Sequence, residues 1–305
     1  MAPPSESEQF EAIQEAQQLS DLSETFGIGS IHEIYFSAKE IWQSVLRERQ
    51  RNRTDTSGLA GTTVDIDGQT FHVHGITHVG TEPEAEYLRE YVTEYLRSNG
   101  SVYCEQGIRS MYFEDFPEVC EMDDYLWAMD RCEGVETASH VDRRSSSEPV
   151  FEETAPVTGE FRDATFSLID SGSTMYGEKF EQTLGDIAAS FLTDHADIGV
   201  GKSYEAFQLR AEASRNPERL VDLQEYYERT FLPQPLEREW LRYHDPELEL
   251  MSHARNERMA EYAMYHNQNA ENVHLVVGAA HQPGVVYYLE QYRDGRELPA
   301  EFELY

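Results

Sequence analysis

The sequence predicts an α/β fold: a mixed, largely parallel sheet flanked by helices, with a helical middle region. Three observations point there. Short apolar or alternating runs end in Gly75-Ile76-Thr77-His78 and in Gly278-Ala279-Ala280-His281, and each is followed by a helix-start signal. A third run, Ser101-Val102-Tyr103-Cys104-Glu105, has the same form. Strands that alternate with helical patterns build parallel sheets. Two histidines and one glutamate then sit just past the C-terminal ends of three strands, the edge where open α/β sheets bind ligands.

The elements follow in order. Residues 8–24 are polar, with Phe10, Ile13, Ala16 and Leu19 spaced by three, which predicts a surface helix with a narrow apolar stripe. A second helix is expected over Ile31–Arg51, then a polar loop to Gly61. Asp67-Gly68 between alternating runs at 63–67 and 71–75 reads as a hairpin turn. Thr81-Glu82-Pro83-Glu84 combines a capping box with a first-turn proline. Ala85, Leu88, Val92, Tyr95 and Leu96 continue at helical spacing, and Asn99-Gly100 ends that helix. With the strand at 102–105 this predicts a β-α-β unit with parallel strands and a right-handed crossover. Residues 139–160 are acidic and breaker-rich, so a loop is expected; helices follow at 179–194, 204–215 and 217–231, and Pro233 and Pro235 interrupt. A single long helix is expected over 246–269, then the last strand and a closing helix from Pro283. The expected organisation is one domain over 1–305, with a helical N-terminal segment at 1–60 and a mainly helical insertion or lid at 110–250.

Composition narrows the function classes. The 305 residues carry 58 Asp plus Glu against 24 Lys plus Arg, a net charge of −34. Only three lysines occur, Lys39, Lys179 and Lys202. Such a surface suits a cytosol of molar salt, where screening over about 3 Å removes self-repulsion, so a halophile protein is expected. Nucleic-acid binding is disfavoured, because phosphate contacts need clustered Lys and Arg. Cys104, Cys120 and Cys132 are odd in number and lack Cys-x-x-Cys spacing, which predicts reduced thiols in a cytoplasm. No stretch approaches ~20 apolar residues, so no membrane span is expected. Tyr87, Tyr91, Tyr95, Tyr287 and Tyr288 suit core packing or a homodimer interface.

The chemistry follows from residue type. Two imidazoles and a carboxylate are a usual catalytic set for a divalent metal with an open position for water, which makes His78, His281 and Glu105 candidate ligands. A glycine three residues before each histidine lets the backbone turn sharply or approach a ligand. Either histidine alone could equally be a hydrogen-bonded structural residue, and Glu105 a buried partner of an arginine. Arg255, Met259, Tyr262 and Ala263 share one helix face, so Arg255 is expected to point inward and pair with a carboxylate or a substrate anion; Arg258 is expected at solvent. His72 and His74 are secondary candidates, since alternation puts both rings on one sheet face, and with His78 they could form an amidohydrolase-type metal cluster. His274 is expected to be structural, and His244, His253 and His266 solvated.

Taken together, these stretches resemble a known family. Gly75–His78, 102–105, Arg255-Asn256-Glu257-Arg258-Met259 and Val276-Val277-Gly278-Ala279-Ala280-His281-Gln282-Pro283-Gly284 are similar to the TraB/PrgY–GumN–TIKI group, related to the ChaN/EreA-like fold. The matching stretches are short, and the last is the most specific. The family's arginine shortly after the glutamate is matched loosely by Arg109. The resemblance implies a compact α/β domain with both motifs and the glutamate in one cleft. It also implies His78, His281, Glu105 and Arg255 as active-site residues. TIKI members are metalloproteases, PrgY-like members shut down a peptide pheromone, and erythromycin-esterase-like relatives hydrolyse a lactone. The expected function is a hydrolase of a peptide or ester bond that depends on a divalent metal such as Mn, Co or Zn. The alternative is a non-catalytic module that sequesters a peptide or small ligand.

Overall fold

An Asp-Gly turn and three strand-to-helix junctions build the sheet. The computed structural model describes residues 4–27, 29–51, 61–142, 164–169, 203–267 and 270–298. Strands β1 (Gly61–Ile66) and β2 (Gln69–Ile76) pair antiparallel. Asp67 and Gly68 between them have φ of 49° and 86°, the positive values a tight two-residue hairpin turn requires. Strands β3 (Ser101–Cys104), β4 (Val119–Glu121) and β5 (Asn272–Gly278) complete a five-stranded sheet of order β1-β2-β5-β3-β4, parallel beyond the first pair. The last strand in sequence is thus inserted between β2 and β3. The two strands of the expected β-α-β unit are parallel, but they are not neighbours.

The main helices are α1 (Glu6–Glu15), α2 (Ile31–Arg51), α3 (Glu82–Arg97), α4 (Ile108–Tyr112), α5 (Tyr125–Asp142), α6 (Tyr204–Arg215), α7 (Leu220–Thr230), α8 (Gln234–His244), α9 (Arg255–His266) and α10 (Gln282–Arg293). Strand alternation assigns each sheet face a helix layer. Phe71, Val73, Val273, Leu275 and Val277 form one core with Met259 and Ala263 of α9 and Val285 and Leu289 of α10. Ile76, Val102, Cys104 and Val276 form the opposite core with Leu88 and Val92 of α3 and with α4. Each fully buried Leu, Ile, Val or Phe contributes about 1.5–3 kcal/mol. A third core joins the N-terminal helices to α8 through Ile34, Tyr35, Leu236 and Trp240. There Lys39 is buried on Glu237 at 3.1 Å, and Tyr35 donates to the same carboxylate at 2.7 Å.

Several expectations need correction. The helix read over 8–24 breaks after Glu15, into a 3-10 turn at Leu19–Leu22 and a short helix at Ser23–Phe26. Pro235 opens α8 rather than interrupting the chain, because proline fits a helix's first turn, where its missing N–H is unpaired anyway. Helix α5 runs through Asp142, into the stretch read as a loop. The rest of that loop, 143–160, and the helix expected at 179–194 lie outside the described residues. The long helix read over 246–269 begins with a short turn and a π-helical segment, Glu249–Ala254, before α9. Arg258 is buried rather than solvent-facing: its guanidinium lies 5.9 Å from the Trp127 ring centroid and its Nε donates to the Asp123 carbonyl at 3.4 Å. The Trp127 ring of α5 lies over that side of α9. His253 is buried too, edge-on to Phe231 and 3.3 Å from Gln234 Oε1.

Candidate active site

Parallel pairing of β2 with β5 sets Ile76 beside Gly278 and aligns the two Gly-x-x-His motifs. The Ala279 amide donates to the Ile76 carbonyl at 2.9 Å, which ties one motif to the other. Each glycine makes room for the opposite motif. A Cβ on Gly75 would lie 2.9 Å from the Ala279 Cα, and a Cβ on Gly278 would lie 2.5 Å from His78 Nε2. On the other side of β5, the Glu105 amide bonds the Val276 carbonyl at 2.9 Å, so the carboxylate projects from the same edge.

Glu105 is the centre of the cluster. Its Oε2 accepts the Gly278 amide at 2.7 Å and lies 3.3 Å from His78 Nε2. Its Oε1 accepts Arg255 Nη2 at 2.8 Å and lies 3.5 Å from His281 Nε2. Burial alone would raise the Glu105 pKa, but His281, His78 and Arg255 outweigh it and hold the carboxyl well below its ordinary value. Arg255 also grips Asp124, with Nε at 2.7 Å and Nη2 at 2.5 Å from Oδ2. Burial lifts the Asp124 pKa to about 6 against the pull of Arg255. For Arg255 the two carboxylates outweigh desolvation and raise its pKa further.

His281 is fixed by what surrounds it. Its Nδ1 lies 2.8 Å from Asn256 Oδ1 and 3.1 Å from the Ser252 carbonyl. A backbone carbonyl only accepts, so we assign the proton to Nδ1. The Ser252 carbonyl belongs to the π-helical segment, a backbone form frequent at functional sites. Asn256 Nδ2 donates to Gln234 Oε1 at 3.2 Å, which sets the amide's orientation. Gly284 lies against Asn256, whose Cγ would be 2.5 Å from a Cβ there. Burial pushes the His281 pKa down to about 4, with Glu105 opposing and Arg255 adding to the fall. With the proton assigned to Nδ1, a neutral ring turns its Nε2 toward the Glu105 Oε1, 3.5 Å away.

His78 is held differently. It has φ of 59°, uncommon for a residue with a side chain. The turn is clamped by buried Glu84, which accepts the Thr77 amide at 2.8 Å, the Thr77 hydroxyl at 2.6 Å and the Tyr112 hydroxyl at 2.5 Å. Tyr112 in turn accepts the Gly80 amide at 2.9 Å. The capping box read from Thr81-x-x-Glu84 is not formed: Thr81 makes no side-chain cap and bonds the Ser214 carbonyl instead. Glu84 serves the loop, not the helix end.

The structure thus brings His78, Glu105, Arg255 and His281 together. Arg109 lies on α4, and among the described residues its side chain makes no ion pair and its Nε has no hydrogen-bond partner. His72 and His74 do not reach the cluster. They lie within β2 and stack with His274, at centroid distances of 4.5 and 5.7 Å, while Tyr95 of α3 covers His274 at 3.6 Å. Asp124 and Tyr112 were not singled out by sequence reading; Glu84 was read only as a capping residue, and Asn256 only as part of the Arg255–Met259 match. Among the described residues no three His, Cys, Asp or Glu side chains close on one point as a ready metal cage, since the two histidines approach different oxygens of Glu105. Their separations from it, 3.3 and 3.5 Å, are those of neighbouring ligands on a tetrahedral ion with bonds of about 2.0–2.2 Å. A histidine whose other nitrogen donates to a carbonyl is the usual outer shell of a metal ligand. The donor types are those of a divalent-metal site, while the described side chains do not converge as one group that could hold an ion.

Compared with known proteins, the chain matches no family model, no curated protein and no solved structure. No described helix is long and apolar enough to cross a membrane.

Proposed function

We propose that this cluster is the active site of a metal-dependent hydrolase acting on a peptide or ester bond, of the kind the TraB/TIKI resemblance suggests. The observation that carries the reading is the setting of His281, whose Nδ1 faces two acceptors and whose Nε2 faces Glu105. A neutral imidazole that turns its lone pair toward a carboxylate is repelled unless a proton or a cation lies between them. His281, His78 and Glu105 would hold the ion. A divalent ion supplies Lewis acidity there, lowering the pKa of a coordinated water and polarising the scissile carbonyl.

The chain's own residues have separate tasks. Asn256 and the Ser252 carbonyl keep the His281 ring from flipping. Glu105, ionised and pinned by the Gly278 amide, serves as ligand or as acceptor of the attacking water's proton. Arg255 orients Glu105 and leaves a fixed positive charge beside the developing oxyanion. Asp124 positions Arg255.

A second reading, a non-catalytic ligand-binding module, is favoured by one observation. Both oxygens of Glu105 already have protein partners. Elemental analysis of tag-free protein purified in high salt separates the two. One divalent ion per chain is expected in the wild type and none in a His78→Ala/His281→Ala double variant. No ion in either, after soaking in manganese, cobalt or zinc, would put the binding module first.

A further inference from the structure

A cavity of about 380 Å³ lies where α2, α7, α8 and α10 meet. Small-molecule sites start at about 300 Å³. The cavity follows α10 from Gln282 at its start to Asp294 just past its end, about 18 Å at ~1.5 Å per residue. It therefore suits an elongated ligand. None of His78, Glu105, Arg255 and His281 lines it. Gln234 does, and its Oε1 accepts Asn256 Nδ2 at 3.2 Å, while Asn256 Oδ1 lies 2.8 Å from His281 Nδ1. Asn256 thus stands between the cavity wall and the cluster.

The two ends of the cavity differ. At the Gln282 end the walls are aromatic and fixed. Trp42 of α2 stacks on Phe10 at a centroid distance of 4.8 Å, and its Nε1 donates to the Glu228 carbonyl at 3.0 Å. Buried Phe231 lines the same end. Gln282 and Thr62 both line the cavity, joined by Gln282 Nε2 donating to Thr62 Oγ1 at 3.2 Å. Gln282 Oε1 is buried, and among the described residues no group hydrogen-bonds it. An unmet buried acceptor calls for a donor. The other end is acidic. Half-buried Tyr287 leads there to Glu290 and Asp294. Those two carboxylates share Arg293, which does not line the cavity. Every charged side chain on the lining is a carboxylate. An anion is repelled there, whereas an ammonium group is drawn to the carboxylates and to the Tyr287 ring.

We propose that this cavity is a second binding site, separate from the Glu105 cluster, and that it takes a small aromatic amine. The ring lies between Trp42 and Phe231, where a ring N–H or O–H meets the Gln282 carboxamide. The ammonium group points along α10 to Tyr287, Glu290 and Asp294. Such a site requires neither the metal nor the hydrolysis proposed for the cluster.

The test uses the full chain in high salt and three indoles: tryptamine, uncharged 3-ethylindole and anionic indole-3-propionate. Isothermal titration calorimetry is expected to show a single saturable tryptamine site. Tryptamine should bind at least roughly tenfold more tightly than indole-3-propionate, with 3-ethylindole between them. Leu46→Arg places a cation at a half-buried lining position of α2. It should weaken tryptamine by roughly tenfold or more with the circular dichroism unchanged. Glu290→Gln/Asp294→Asn alters only partly exposed carboxylates and decides the matter if Leu46→Arg does not fold. In that double variant the lead of tryptamine over 3-ethylindole should disappear. No saturable tryptamine binding, or either other indole binding as tightly, overturns the proposal. So does undiminished binding in folded Leu46→Arg, or an undiminished lead in the double variant.

Discussion

The two Gly-x-x-His motifs share a spacing and lie on neighbouring parallel strands, yet their histidines end in different states. His78 turns at positive φ, and its side chain is 38% exposed, with one 3.3 Å approach to Glu105. His281 precedes a helix at φ of −85°, is 13% exposed, and has its Nδ1 held by two acceptors. The motif fixes where an imidazole is delivered. What packs around it decides whether that imidazole can move. In the first motif the clamp of Glu84 and Tyr112 acts on the backbone, and the ring itself is partly exposed. In the second, Asn256 and Ser252 act on the ring itself.

The largest effect is expected where both motifs meet. Arg255→Met would leave Glu105 and Asp124 as buried carboxylates without their shared cation. Urea denaturation is expected to show a loss of about 3–5 kcal/mol, and a loss under ~1 kcal/mol would mean the carboxylates do not depend on that pairing.

Swapping the glycines sharpens the contrast. A Cβ at Gly75 meets backbone, so Gly75→Ala should cost about 1–3 kcal/mol in thermal denaturation. A Cβ at Gly278 meets the tip of the His78 ring, which can turn toward solvent. Gly278→Ala should therefore cost less than ~1 kcal/mol while driving His78 off Glu105. Equal losses would contradict the assignment of one rigid and one movable neighbour.

The same two strands carry the stack of His72, His74 and His274, of which His74 and His274 are buried. Burial, then His72, pushes the His274 pKa down to about 3. The unfolded chain, titrating near ~6.5, binds the proton first. This contribution to stability is therefore present above that pH and is lost as pH falls toward 3. Replacing His274 with Phe should flatten the decline by up to one proton, roughly 1.4 kcal/mol per pH unit. An unchanged slope in urea titrations between pH 6 and pH 4 would rule out His274 as its source.

The histidines themselves give a pair of the same size as the glycines. His78→Ala should change stability by under ~1 kcal/mol, as expected for a partly exposed pair. His281→Ala leaves Asn256 Oδ1 and the Ser252 carbonyl without their donor and should cost about 1–3 kcal/mol. A reversed order in denaturant midpoints would overturn the comparison.

Much of this site was legible because its signals are local. The alternating runs, the Asp-Gly turn and the Gly-x-x-His spacing each lie within a few residues and led to His78, Glu105 and His281, while the shared helix face with Met259 and Ala263 led to Arg255. What was missed depends on contacts across the chain. The insertion of β5 between β2 and β3 is a non-local pairing that no short window contains. Asp124 is one of 58 acidic residues, and nothing nearby in sequence separates it from Asp123. Glu84 has the spacing of a capping residue, and only the fold reveals that its carboxylate reaches Thr77 and Tyr112. Asn256 stood beside Arg255 in the resemblance, where its chemistry pointed to nothing until the His281 ring was beside it. The three-residue β4 and the π-helical segment carry no periodicity to read.

The most direct test is long-range proton–nitrogen NMR of the His281 ring, assigned by comparison with His281→Gln, at pH 7 without added metal and then with zinc. A neutral ring protonated on Nδ1 is expected, with Nε2 bare and its resonance moving on zinc addition in the wild type but not in Glu105→Gln. A ring protonated on Nε2, or an imidazolium insensitive to zinc, would contradict the arrangement on which the proposed chemistry rests.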